Sequence, residues 1–192
     1  MGREFELKYA ASGDVLAALQ AQYGPGRTIR MESTYFDTVD HRLSQARMTL
    51  RLRLENNESV CTLKTPLPDG SRGEWECPAT NIDSGIAALL ALGAPETLKQ
   101  IAKDGLIPVC GAAFTRCAID LPTQDGSAEL ALDQGILTGG GKDLPLQEVE
   151  IELKSGSEEA TLALAAQIAE TYGLQSESKS KFRRAMDLAQ GE

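Results

Sequence analysis

The chain has 192 residues, 42% hydrophobic and 24% charged, with a formal net charge of −9. That length suits one domain, residues 1–192, with a sizeable core, and the acidic excess argues against a general nucleic-acid binder, which needs a positive footprint. No apolar run of the roughly 18 residues that mark a membrane-spanning helix is present, and the charged opening lacks a signal-peptide core, so the expectation is a cytoplasmic protein with no membrane partner.

In chain order, "EFELK" at residues 4–8 alternates as a strand, with Glu4, Glu6 and Lys8 on one face. "SGDVLAALQAQYGPG" follows at helical spacing, with Ser12 or Asp14 to cap it and Gly24-Pro25-Gly26 to end it. "TIRMESTYFDTVD" is rich in β-formers; Tyr35 and Asp37 share a phase and are candidates to point inward. "RMTLRLRLE" and "SVCTLKTP" alternate strictly, and a turn at Pro68, Asp69 and Gly70 joins the latter to "RGEWECPA" as a hairpin. Residues 82–105 read as helix, with an Asp or Ser cap and stops at Gly-Ala-Pro and Gly105. "CGAAFTRCAIDLP", "GSAELALDQG" and "LQEVEIELKSG" resume the strands, and "TGGGKD" between the last two is expected to be a mobile hairpin loop rather than a P-loop, since no Ser or Thr follows its Lys. A long helix capped by Ser157 and a short terminal helix complete the chain. His41 lies in a polar segment and is expected to be exposed; as the only histidine, it makes a zinc site with Cys61, Cys77, Cys110 and Cys117 a poor match, and packed thiols are expected.

Phase then sorts the charges. Arg51 and Arg53 oppose Leu50, Leu52 and Leu54. Thr62 and Lys64 oppose Cys61 and Leu63, and Glu74 and Glu76 oppose Trp75 and Cys77. Arg116 alternates with Thr115 and Cys117. Glu129 and Asp133 oppose Leu130 and Leu132, and Glu148, Glu150 and Glu152 oppose Val149, Ile151 and Leu153. One such strand is an ordinary solvated face. Here, however, cations and carboxylates are segregated by strand, and the helices suffice to cover the apolar faces. The charged faces then point inward, which requires water and a charged ligand, because unpaired buried charge is costly. A polyphosphate with its divalent metal meets both halves of that requirement: guanidinium and ammonium groups grip phosphate, and carboxylates take Mg²⁺ or Mn²⁺.

The Glu-x-Glu-x-Lys of residues 4–8, followed in order by "TYFDT", "LRLR", "TLK", "ELALDQG", "EVEIELKSG" and "SKSKFRRA", resembles the CYTH superfamily, also called triphosphate tunnel metalloenzymes, and within it the bacterial inorganic triphosphatase branch. The resemblance covers essentially the whole chain. It implies an α+β fold: a closed eight-stranded antiparallel β-barrel forming a tunnel with a charged interior, its helices packed outside. It implies Mg²⁺ or Mn²⁺, with Glu4, Glu6, Asp133, Glu148 and Glu150 as metal ligands. Lys8, Arg51, Arg53, Lys64, Arg116, Lys181 and Arg184 would bind substrate, and Glu4, Glu6, Lys8 and Lys181 would take part in catalysis. In the tail, Lys179 and Arg183 compete with Lys181 and Arg184 for the family's Lys-x-x-Arg, and the roles of Glu74, Glu76 and Glu152 stay open.

The activity implied is hydrolysis of a triphosphate, foremost tripolyphosphate to pyrophosphate and phosphate, by a monomer or homodimer. Alternatives are a class IV adenylate cyclase acting on ATP, a thiamine triphosphatase, and a polyphosphate- or nucleotide-binding module without turnover. Aromatic residues make up 5% of the chain and most fall on apolar phases or near helix ends, so no adenine pocket is expected. In larger relatives the domain is fused to a second, helical one, for which this sequence offers too few residues.

Overall fold

A computed structural model describes residues 2–3, 5–67 and 72–191. Alternation builds the strands, since successive side chains of an extended chain point to opposite faces. They are β1 (Gly2–Arg3), β2 (Glu6–Ala10), β3 (Arg27–Asp37), β4 (Thr49–Glu55), β5 (Glu58–Pro66), β6 (Arg72–Pro78), β7 (Ile107–Pro122), β8 (Ser127–Gly139), β9 (Lys142–Ser155) and β10 (Gln175–Ser176). The helices are α1 (Gly13–Tyr23), α2 (Arg42–Gln45), α3 (Ile82–Ala91), α4 (Glu96–Ala102), α5 (Glu158–Tyr172) and α6 (Lys181–Gln190). The eight longer strands run β6-β5-β4-β3-β7-β8-β9-β2, every neighbour antiparallel.

Among the described residues no ladder joins the edge strands β6 and β2 to each other; the N-terminal segment supplies a strand at each edge instead. β1 pairs with β6, placing Gly2 opposite Glu74, and β2 pairs with β9, from Glu6 opposite Glu152 to Ala10 opposite Glu148. Of the strand expected over residues 4–8, Glu6–Lys8 lie in β2, Glu4 lies outside the described residues, and Gly2–Arg3 just before it pair with the opposite edge of the sheet. The hairpin turn expected at Pro68–Gly70 lies outside the described residues, but β5 and β6 on either side of it pair antiparallel as a hairpin requires, Lys64 opposite Glu74.

The outward faces are apolar and covered. Leu130, Leu132, Val149 and Ile151 pack under Leu16 and Leu19 of α1 and Ala165 and Ile168 of α5. Leu50, Leu63 and Trp75 pack under Leu43 of α2, Leu89 of α3, and Leu98 and Ile101 of α4. Each such side chain contributes about 1.5–3 kcal/mol by burial. The caps are local. Ser12 accepts from Val15 N–H and Ser157 from Ala160 N–H, while Asn81, not the expected Asp or Ser, accepts from Ser84 N–H in a capping box. All four cysteines are free thiols; of Cys61 and Cys117, expected on the apolar phase, Cys61 is buried, as is Cys77, while Cys117 is half-buried against the cluster under α1 and α5.

One helix takes a different place. β7, β8 and β9, at 16, 13 and 14 residues, outrun β4, β5 and β6 at 7, 9 and 7. α6 lies across the inner face of that overhang, where Ala185 packs with Met31, Tyr35, Phe114, Leu137 and Leu146. The fit is close: a Cβ on Gly139 would stand 2.2 Å from the Ala185 carbonyl oxygen. Gly139 leads into Gly140 and Gly141, both at positive φ, so "TGGGKD" is a tight two-residue hairpin turn of the kind glycine permits, packed on α6, and not an open loop. Asp37 does not reach the interior site. It is fully buried and accepts from Thr38, Leu43 and Ser44 backbone N–H groups and the Ser44 hydroxyl, anchoring α2. His41 is half-buried rather than exposed, because it enters α2 at φ 59° with its Nδ1 enclosed.

Candidate functional site

Residues directly opposite in an antiparallel ladder share a face, so register decides what converges. Lys8 faces Glu150, and Glu6, Glu152 and Glu129 stand in one row across β2, β9 and β8. Asp133 lies between Glu148 and Arg116. Tyr35, Arg51, Thr62 and Glu76 form a second row, and Thr49, Lys64 and Glu74 a third. These inner faces enclose a cavity of about 420 Å³ lined, among the described residues, by eight cations (Lys8, Arg51, Arg53, Lys64, Arg72, Arg116, Lys154, Lys181) and seven carboxylates (Glu6, Glu55, Glu74, Glu76, Glu129, Glu150, Glu152).

The acidic half is the more buried. Asp133, Glu148 and Glu150 bring one carboxylate oxygen each within 4.8 Å of one another, and Asp133 and Glu148 have no exposed surface. Arg116 donates a forked pair to Asp133, Nε to Oδ1 and Nη2 to Oδ2, both at 2.8 Å, and its Nη2 also meets Glu150. Lys181 Nζ lies 2.8 Å from Asp133 Oδ2 and 2.8 Å from Glu150 Oε1 and also contacts Glu148 Oε1. Arg184 reaches Glu148 from one turn further along α6. Burial raises the Glu148 carboxyl to about 7 against the pull of Lys181. Burial acts on Glu150 too, but Lys181 and Arg116 outweigh it and hold that carboxyl well below the ordinary range. Burial works against the charge of Lys181 as well; Glu150, Asp133 and Glu148 prevail and keep its ammonium well above the usual lysine range.

The cationic half is looser. Arg51 and Lys64 stand 4.0 and 3.7 Å from Glu74, and Arg53 stands 3.6 Å from Glu76, which also accepts from the Thr62 hydroxyl at 3.0 Å. Arg53 additionally meets Glu55. Its Nε is buried without a hydrogen-bond acceptor, and its charged form is disfavoured, first by burial and next by Arg51. A guanidinium in that state is well matched to an anion that supplies the missing acceptor. Lys8 is held by Glu6 at 3.0 Å.

Of the residues singled out from sequence, Glu6, Lys8, Arg51, Arg53, Lys64, Arg116, Glu150 and Lys181 border this one cavity. Asp133 and Glu148 stand in its wall, bound to Arg116 and Lys181, and Arg184 joins them through Glu148. Glu4 lies outside the described residues. Lys179 and Arg183 turn aside to meet on Asp187, at 2.8 and 2.7 Å. Glu74, Glu76 and Glu152 line the cavity, as their phase implied. Tyr35, a candidate to point inward, borders the cavity, whereas its phase partner Asp37 does not. Reading by phase left out Glu55, Arg72, Lys154, Ser180, Phe114 and Phe182, which also border it; Phe114 shares its phase with Arg116, and that is the signal for it.

The inner faces of the sheet thus set a group of cations beside a buried carboxylate trio. The pattern of the CYTH domain matches residues 2–186, and the chain belongs to that family. It is 34% identical over 167 residues to an inorganic triphosphatase of Haemophilus influenzae, covering 82% of this chain and 47% of that protein, so the chain spans about half the length of that curated relative. Among solved structures it superimposes on a candidate adenylate cyclase from Bacillus halodurans (TM-score 0.67, 23% identity, 96% of this chain and 98% of that one). It also superimposes on a candidate adenylyl cyclase from Hippeastrum, described as having a dominant triphosphatase activity (TM-score 0.65, 20% identity, 98% and 96%). These two likenesses bear on the fold. Among the described residues no helix is long and apolar enough to cross a membrane.

Proposed function

We propose that the chain is a single CYTH unit that hydrolyses a triphosphate in the presence of a divalent metal, with inorganic tripolyphosphate cleaved to pyrophosphate and phosphate. The observation that carries this reading is the convergence of Arg51, Arg53, Lys64, Lys8 and Arg116 on the cavity that also holds the carboxylate trio. A trio of oxygen donors this close suits a hard cation such as Mg²⁺ or Mn²⁺, held by Asp133, Glu148 and Glu150 with Glu6 at the neighbouring row. When bound, the metal supplies charge neutralisation on the phosphate oxygens. Arg51, Arg53 and Lys64 grip one side of an extended phosphate chain and Lys8 and Arg116 the other, so that water attacks the terminal phosphorus in line. Positioning and electrostatic stabilisation account for most of the rate in such transfers.

The choice of an inorganic chain over a nucleotide rests on the aromatic residues. Tyr35 and Phe114 are 3% and 9% exposed and packed in the cluster under α6, and the Phe182 ring lies 5.1 Å from that of Tyr35. Although they border the cavity, they are committed to this packing, which favours a substrate without a base to stack. The test is to incubate the protein with tripolyphosphate, ATP or thiamine triphosphate, with Mg²⁺ or Mn²⁺ and then with excess chelator, and to identify the products. Pyrophosphate and phosphate from tripolyphosphate, lost with the chelator, are expected. Cyclic AMP formed from ATP at a higher rate would replace this reading with the cyclase, and tight binding without turnover would replace it with the binding module.

A further inference from the structure

Lys181 occupies an unusual place. It takes one oxygen from each of the three carboxylates, Asp133 Oδ2, Glu148 Oε1 and Glu150 Oε1, which is the central position a shared cation would hold. With Arg116 and Arg184 it brings three positive charges to three negative ones. A divalent cation entering that arrangement gains nothing until a resident cation leaves.

The three residents are not equally bound. Arg116 sits mid-ladder opposite Asp133 and holds it through two nitrogens. Arg184 covers Glu148 alone among the three. Lys181 is a compact ammonium on a flexible four-carbon stem, at the first position of α6 and on the border of the open cavity. Its departure alone uncovers an oxygen on all three carboxylates at once. Its stem can carry the ammonium into the cavity, where the cation-lined walls bind phosphate.

We propose that Lys181 and a divalent metal ion are alternative occupants of the Asp133–Glu148–Glu150 trio, the displaced ammonium moving into the cavity to meet the phosphate chain. This rests on the metal-dependent reading above. In the metal-free protein Lys181 keeps the trio from flying apart; in the loaded protein it becomes a substrate contact. Metal and triphosphate therefore help each other bind, each by the same factor.

The test uses Mn²⁺ alone, with no phosphate, its free concentration followed by paramagnetic resonance. Lys181→Gln should bind Mn²⁺ at least tenfold more tightly than the wild type, Lys181→Arg should not, and Asp133→Asn should abolish binding. Equal or weaker Mn²⁺ binding by Lys181→Gln, with Asp133→Asn still abolishing it in the wild-type background, overturns the exchange and leaves the metal site standing. No Mn²⁺ binding by any form overturns both. A second measurement needs no variant: acylation of lysines in the wild-type protein, read peptide by peptide. Lys181 should be protected in chelator and labelled at least threefold faster at saturating Mn²⁺, while the exposed Lys99 is unchanged. Protection of Lys181 that survives Mn²⁺ saturation refutes the proposal.

Discussion

At the scale of single residues, two cations that border the same cavity should behave oppositely when removed. Lys8 is held by Glu6 at the edge of the cavity, so Lys8→Ala should keep its fold and lower tripolyphosphate turnover at least tenfold, about 1.4 kcal/mol of transition-state stabilisation. A folded variant with undiminished turnover would remove Lys8 from the site. Arg116 is the counter-charge of two buried carboxylates, and breaking a buried pair from one side costs about 3–5 kcal/mol. Arg116→Ala should therefore show its loss in a denaturant melt before any assay of activity. Glu148 supplies a pH signature. Its carboxyl is raised from 4.5 to about 7, so the folded, metal-free protein binds a proton there that the unfolded chain has released. The sign follows by linkage: between about pH 4.5 and 7 its contribution to stability falls as pH rises. In chelator, the stability of Glu148→Gln relative to the wild type should improve from pH 5 to pH 7; a constant difference between the two melts would contradict the assignment.

At the scale of elements, α6 is the part whose position matters most. Gly139→Val would push into the Ala185 carbonyl, which a Cβ at that site already approaches to 2.2 Å. Overpacking of this sort costs about 1–3 kcal/mol, and the strain falls on the helix that carries Lys181. Hydrogen exchange should quicken in α6 while β4–β6 stay protected, and triphosphate binding should weaken; unchanged exchange in α6 would show that the helix accommodates the side chain. This helix also marks where the sequence stops being legible. Strict alternation in "RMTLRLRLE" and "EVEIELKSG" exposed β4 and β9 with their inward residues, because period two ties a residue's position to its face. The tail read only as a short terminal helix. Nothing in a helical period says whether the partner surface is the outside or the inside of a barrel, so the commitment of Tyr35, Phe114 and Phe182 to its packing was hidden too. Likewise the run from Glu4 to Lys8 reads as one strand by phase, whereas the change of neighbour between Arg3 and Glu6 is set by pairing partners far along the chain.

For the whole molecule, the cavity and the surface carry different balances. Among the described residues, eight cations and seven carboxylates border the cavity, with Asp133, Glu148 and Arg184 in its wall, a near balance, while the chain as a whole carries −9, so most of the excess negative charge lies elsewhere. On the proposed function, a polyanionic substrate would be repelled on approach and held only once inside. Its association rate should rise with added salt, as screening shortens the reach of the outer field; a rate that falls with salt would mean that the cations steer at long range. Once bound, a ligand specific to the folded state adds about 2.7 kcal/mol at a hundredfold excess over its Kd, so tripolyphosphate with Ca²⁺ should raise the melting midpoint, and a midpoint unmoved at saturation would count against the site. The placement of α6 governs traffic as well. Ser180, Lys181 and Phe182 border the cavity where α6 packs on the overhanging strands. If α6 closes that end, a long polyphosphate cannot be threaded through and clipped along its length; it can only offer a terminus at the other end. Products must then back out the way the substrate came in, so pyrophosphate should queue for the same doorway and inhibit competitively.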